Sequence, residues 1–139
     1  MVQMSRNQQN YVIMTVIYDE LNDFYHSNGE TFRDARDLVS ELINAPYEAA
    51  DDYIKQSITS VLNNYGAIVS SFKPFLKDWK WERLPLLTQA ILLMAYAHFY
   101  YVEKVDKKIV INVAVELAKK YIDEKQARFI NAILDGVIK

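Results

Sequence analysis

Residues 84–102 have the sequence LPLLTQAILLMAYAHFYYV, nineteen residues without an Asp, Glu, Lys or Arg. A stretch of this kind raises two alternatives, a transmembrane helix or a helix buried on nearly all sides within a bundle. Pro85, Thr88, Gln89 and His98 interrupt the apolar run, and four Phe or Tyr rings crowd its C-terminal end. We therefore predict a buried central helix, and no association with a membrane.

The composition of the chain favours helices. Its 139 residues include only three glycines and three prolines, too few for the many tight turns of a β-sandwich. We predict an all-α fold and a single domain over residues 1–139, long enough to enclose a hydrophobic core. The absence of cysteine excludes disulfides and cysteine-bound zinc. The polar N-terminus MVQMSRNQQN lacks a signal-peptide core, so we expect a cytoplasmic protein.

Apolar residues at spacings of three and four predict six or seven helices. The first helix covers residues 5–27, with one face formed by Tyr11, Met14, Tyr18, Leu21 and Tyr25. Thr31 caps a second helix that runs to Ala45. A third helix covers about residues 48–65, and Gly66 either ends it or lies inside a longer helix.

The C-terminal helices follow the same spacing. Asp106 is expected to cap a helix over about residues 107–121, whose inward side chains are predicted to be Ile109, Val110, Val113, Leu117 and Tyr121. Asp123 or Glu124 begins a last helix with Phe129, Ile130, Ile133, Leu134 and Val137 inward. Between the third helix and the apolar stretch, residues 71–82 are expected to be short helix or irregular chain.

The net charge of −2 conceals an asymmetry between the two halves of the chain. Residues 1–72 hold four basic and ten acidic side chains, a balance of −6. Residues 73–139 hold twelve basic and eight acidic side chains, a balance of +4. A basic surface, if the fold builds one, belongs to the C-terminal half, where it would attract an anionic partner such as nucleic acid.

The sequence contains no recognisable catalytic pattern. It has no HExxH motif, no glycine-rich phosphate loop and no GxSxG motif. The only histidines, His26 and His98, lie far apart in sequence, and His98 falls in the apolar stretch. We expect His98 to be a hydrogen-bonded core histidine, and we expect no enzymatic activity, cofactor or metal site.

Three blocks in the second half of the chain resemble the NusB family. WKWERL (residues 79–84) is similar to the family's Trp-x-x-x-Arg-Leu entry to its central helix, and AIL (residues 90–92) follows at the family's spacing. VINVAVELAK (residues 110–119) resembles the segment INEAVELAK, with Val113 in place of Glu. KQARFINAILD (residues 125–135) resembles KFVNGVLD, with Ala132 in place of Gly.

The resemblance implies a fold of two small helical bundles packed together and a function without catalysis. Members of the family bind the boxA element of RNA together with NusE, a protein that also serves in the small ribosomal subunit. The complex joins the RNA polymerase antitermination assembly and suppresses termination, chiefly in ribosomal RNA synthesis. The resemblance thus predicts boxA-like RNA and NusE as partners of this chain.

Carried over residue by residue, the resemblance implies a set of RNA contacts: Arg6, Lys107, Lys108, Lys125, Arg128 and Phe129. Arg6 is the one arginine left in an N-terminal helix that is arginine-rich in the family. Each missing arginine removes a possible phosphate ion pair, so weaker RNA binding is expected. Phe129 has two interpretations, a ring that stacks on unpaired bases or a core residue in register with Ile133.

For the NusE surface, the resemblance implies Tyr18, Glu82 and Thr88. Thr88 stands where the family has an acidic residue, and Gln89 where it has a basic one. An alternative function is therefore a protein–protein interaction module of the same fold with weakened or lost RNA binding. A homodimer that hides the basic face is a further possibility.

Overall fold

Residues 3–28 and 32–139 are described by a computed structural model, and in these ranges the chain forms seven α-helices and no strand. This confirms the all-α prediction. The α-helices are α1 (Arg6–His26), α2 (Arg36–Ile43), α3 (Asp52–Asn63), α4 (Tyr65–Phe72), α5 (Leu86–Ala97), α6 (Lys107–Tyr121) and α7 (Glu124–Val137). Short 3₁₀ turns cover Tyr47–Ala49, Lys73–Phe75 and Trp81–Arg83, and a π turn covers His98–Val102.

The apolar stretch forms α5, the helix at the centre of the fold. α5 packs against α1, α3 and α4, and also against α6 and α7, which form an antiparallel hairpin. Every residue from Thr88 to Ala95 is buried, and each fully buried Leu or Ile contributes about 1.5–3 kcal/mol. None of the described helices combines the length and hydropathy required to cross a bilayer.

Local hydrogen bonds decide where the helices begin. Ser5 caps α1 by accepting from the backbone N–H of Gln8, while the Gln8 side chain accepts from the N–H of Ser5, a capping box. Asp123 caps α7, since its carboxylate accepts from the N–H of Gln126 at 2.7 Å. Asp106 precedes α6 as predicted, but its side chain makes no cap hydrogen bond, so that part of the prediction is wrong.

The predicted third helix corresponds to α3, which begins later, at Asp52, and the break before the next helix is at Asn64 rather than Gly66. The side-chain amide of Asn64 donates to the carbonyl of Ser60 at 2.8 Å, alongside its own backbone N–H. Such local bonds compete with helix continuation. Gly66 lies inside α4. The second helix begins at Arg36, and its predicted cap, Thr31, lies outside the described residues.

Three residues that the spacing placed on the apolar faces of α1 and α6 lie on the surface. Tyr11, Tyr18 and Ile109 are 40%, 41% and 51% exposed. The spacing of three and four identified a face of α1 correctly, because Met14 and Leu21 are buried. It could not show that the two tyrosines fall at the edge of that face and stay partly exposed, although the ring of Tyr11 packs against Tyr121 of α6.

Candidate nucleic-acid interface

The α6–α7 hairpin presents exposed cations. Lys108 lies in the first turn of α6, and Lys125 and Arg128 lie three residues apart near the start of α7, which places them on the same side of that helix. All three side chains are exposed, and none takes part in an ion pair within the described residues. Their charges are therefore available to phosphate groups.

Lys107 is engaged within the hairpin. Its Nζ donates to the carbonyl oxygen of Asp135 at 2.7 Å and lies 3.2 Å from the Asp135 carboxylate. The contact joins the start of α6 to the end of α7. Lys107 thus fastens the two helices, and its charge is partly neutralised there.

Arg6 is also engaged, in a network that reaches across the fold. Its guanidinium makes two hydrogen bonds of 3.2 Å to the carboxylate of Glu103 and stacks 3.7 Å above the ring of Tyr53. The hydrogen bonds with Arg6 lower the pKa of Glu103, and the bond to Glu103 raises the pKa of Arg6. The single arginine of the N-terminal helix therefore already has an acidic partner.

His98 joins the same network. It is buried, its Nε2 lies 3.0 Å from a carboxylate oxygen of Glu103, and its ring meets Tyr53 edge to face. This confirms the prediction of a hydrogen-bonded core histidine. Among the described residues, no group of three or more His, Asp or Glu side chains is placed to hold a metal ion.

Phe129 lies at the boundary between the core and the surface. One part of the half-buried ring packs against the core, and another lines a surface cleft of about 180 Å³. The cleft is lined by Trp79, Arg83, Leu84, Pro85, Lys125, Gln126 and Phe129. Trp79, which the sequence analysis placed only in a family block, lines this cleft together with Phe129. Its one sequence signal was a tryptophan outside any apolar repeat.

A second concave surface contains Tyr18. It is a groove of about 520 Å³ lined by Tyr11, Met14, Thr15, Tyr18, Pro85, Leu86, Leu87 and Tyr121. Mostly apolar lining with exposed tyrosines is typical of protein-binding surfaces. Pro85 lines both this groove and the Phe129 cleft, so the two surfaces adjoin. Glu82 is exposed on the 3₁₀ turn just before Pro85.

Thr88 and Gln89 lie inside the protein, not on a docking surface. Thr88 is fully buried, and its hydroxyl donates to Oε1 of Gln126 at 2.8 Å. The Gln89 amide donates to the carbonyls of Trp81 and Leu84, and its oxygen accepts from the hydroxyl of Tyr25. A direct partner contact by Thr88, expected from the resemblance, is incompatible with this burial.

A third surface, which the sequence did not indicate, lies between α1 and α6. This hollow of about 570 Å³ is lined mainly by polar side chains, including Asn7, Asn10, Asn112, Glu116 and Lys120. Tyr121 lines both this hollow and the Tyr18 groove. The hollow, the groove and the cleft therefore follow one another over a continuous surface.

Comparison with known proteins supplies the family. A model of the NusB family matches residues 6–139. The transcription antitermination protein NusB of Clostridium botulinum (strain Loch Maree / Type A3) is 31% identical over 146 aligned positions, covering 97% of this chain and 100% of that protein. The NusB of Bacillus cereus (strain B4264) is 31% identical over 90 positions, covering 65% of this chain and 69% of the relative.

Solved structures share the fold. T. maritima NusB superimposes with a TM-score of 0.78 at 20% identity, covering 97% of this chain and 91% of that one. A chain from a structure described as a plectonemic RNA supercoil superimposes with a TM-score of 0.74 at 22% identity, covering 95% and 92%. Together with the family match over nearly the whole chain, these likenesses show that the chain belongs to the NusB family.

Proposed function

We propose that this chain is a transcription antitermination factor that binds boxA-like RNA together with NusE and suppresses termination, chiefly in ribosomal RNA synthesis. Its relatives bear the name transcription antitermination protein. The observation that carries the proposal is the adjacency of two surfaces at Pro85. On one side lies the cationic, aromatic cleft of Lys125 and Phe129, and on the other the tyrosine groove of Tyr18.

Each surface has the chemistry of its proposed partner. Exposed lysines and arginines attract phosphates and release counterions, and an aromatic ring at the surface stacks on unpaired bases. Tyrosines in an apolar groove anchor protein partners. We expect NusE and RNA on these adjoining surfaces to contact each other, so that NusE raises the RNA affinity of the chain and RNA raises its NusE affinity by the same factor.

The deciding experiment is a titration of fluorescent boxA RNA, and of a scrambled RNA of equal length, with and without NusE. The proposal predicts a preference for boxA of about tenfold or more, which corresponds to about 1.4 kcal/mol, and a further gain when NusE is present. Equal affinity for both RNAs under both conditions would contradict it.

The Tyr18 groove, as the proposed binding surface for NusE, is tested separately. Replacing Tyr18 with Ala should weaken NusE binding by about tenfold, since a tyrosine anchor often contributes more than 1 kcal/mol. Tyr101, similarly exposed on the π turn, lines neither the groove nor the cleft. Tyr101→Ala is therefore the matched control, and equal effects of the two substitutions would count against the groove.

The alternative is a protein–protein module with weakened RNA binding. The engagement of Arg6 by Glu103 and of Lys107 by Asp135 favours it, because two of the five cations expected to contact RNA are already paired. It predicts NusE capture without boxA retention in the same titration. Self-association is tested by sedimentation at several concentrations, alone and with NusE, where a free chain that is strictly monomeric would exclude a homodimer.

A further inference from the structure

Trp79 is the most exposed of the large apolar side chains in the described part of the chain. Its surface is 59% exposed, whereas Trp81, two residues on, is 1% exposed. Trp81 stacks on Phe72, and its Nε1 donates to the hydroxyl of Tyr65. Within the described residues, Trp79 has neither an aromatic partner nor a hydrogen bond of its indole N–H. Packing in the core therefore does not explain why a tryptophan stands at position 79.

Trp79 precedes a segment that the fold holds in place. Lys80 is extended, with φ −85° and ψ 144°, and a 3₁₀ turn begins at Trp81. Trp81 takes the core side, and Trp79 faces the cleft with Phe129. The 3₁₀ turn that follows is fixed by the buried Gln89, which donates to the carbonyls of Trp81 and Leu84. The ring is thus carried on a fixed segment of the chain.

The other lining residues suit one nucleotide. Arg83 and Lys125 bring two positive charges, and none of the described residues that line the cleft is acidic. Gln126 contributes its amide, whose oxygen already accepts from Thr88. The amide nitrogen of Gln126 is left to donate to an acceptor on a base edge. At about 180 Å³ the cleft is smaller than pockets for drug-sized ligands, which are roughly 300–1,000 Å³.

We propose that the cleft between Trp79 and Phe129 takes one unpaired RNA base, which stacks on Trp79 while Arg83 and Lys125 hold the adjoining phosphates. This inference rests on the proposed RNA binding and identifies a contact within it. Aromatic rings give sequence-tolerant stacking, and a donor on the base edge adds a preference. Thr88 is then a positioning residue, since its hydroxyl orients Gln126.

The test combines protein and RNA variants. Trp79→Ala, Trp79→Phe and the control Tyr101→Ala are titrated with boxA RNA and with RNAs in which each base in turn is replaced by an abasic site. Loss of one stacked base typically weakens binding by about fivefold to a hundredfold. We expect that loss for Trp79→Ala, partial retention for Trp79→Phe, and wild-type affinity for Tyr101→Ala.

The decisive result is whether the effect of Trp79→Ala on RNA affinity depends on the base at one position of the RNA. One abasic site should weaken the wild type but leave Trp79→Ala unchanged, because the stacking partner is already gone. If the wild type binds RNA but Trp79→Ala matches it at every abasic position, the inference is overturned and the proposed function stands. If Trp79→Ala loses NusE and keeps RNA, the cleft serves the protein partner and the inference is also overturned. Absence of RNA binding by the wild type would overturn both.

Discussion

Glu20 is a carboxyl group buried in the second half of α1, only 1% exposed. Its Oε1 atom has no hydrogen-bond partner within the described residues. Burial raises the pKa of Glu20 to about 7, and the guanidinium of Arg33 only partly opposes this rise. Replacing Glu20 with Gln removes the titrating group at nearly constant volume.

The size of the effect follows from the difference between the two pKa values. Below a pH equal to the ordinary pKa of 4.5, Glu20 is protonated in both the folded and the unfolded chain. Its titration then does not lower the free energy of unfolding. As the pH rises from there to about 7, the unfolded chain releases the proton while the folded chain keeps it, so the free energy of unfolding falls. At about 1.36 kcal/mol per pKa unit, the wild type should lose roughly 2 kcal/mol between about pH 5 and about pH 8.

The assay is urea unfolding of the wild type and of Glu20→Gln at both pH values. The stability of the variant relative to the wild type should rise by roughly 2 kcal/mol between them. Glu41→Gln, the same change at an exposed position on α2, is the control and should show no such trend. A difference between Glu20→Gln and the wild type that stays constant with pH would refute the reasoning, because the carboxyl would then titrate alike in both states.

Two further substitutions test the internal contacts. Glu103→Gln should release Arg6 for a phosphate, so that the slope of log affinity for single-stranded RNA against log salt steepens by about 0.7; an unchanged slope would mean that Arg6 stays away from the RNA. Gln89→Leu should destabilise the fold by about 2–4 kcal/mol in urea unfolding, because two buried carbonyls and the Tyr25 hydroxyl each lose a hydrogen bond. A loss below about 1 kcal/mol would show that these groups find other partners.

The bounds of a helix and the burial of its faces could be predicted here from local sequence patterns. The bounds of α6 follow from its apolar spacing, and the burial of α5 follows from nineteen residues without a charge. Contacts between residues that are distant in sequence cannot be predicted from such local patterns. The pairing of Arg6 with Glu103 joins residues 97 positions apart, and nothing near Arg6 in sequence indicates it.

In the candidate site, too, some residues could be placed from local sequence, and others depend on how the helices pack. The cations of α7 could be assigned to the surface from their helix face, and Lys125 and Arg128 are indeed exposed. Thr88 could not be placed, because its position on α5 is covered by α7 and depends on how the hairpin packs. Trp79 and Trp81 lie between the α-helices in a segment without a repeating pattern, so only the three-dimensional structure shows which of them is buried.

The central claim, that the exposed cations of the α6–α7 hairpin bind RNA phosphates, is tested most directly by the salt dependence of RNA affinity. Lys108→Gln combined with Arg128→Gln is compared with Lys55→Gln combined with Arg36→Gln, a charge-matched pair on α3 and α2. Each phosphate contact to a single strand contributes about 0.7 to the slope of log affinity against log salt. The account predicts that the first pair lowers the slope by about 1.4 and the second leaves it near the wild-type value. Equal slopes for the two pairs would contradict the claim.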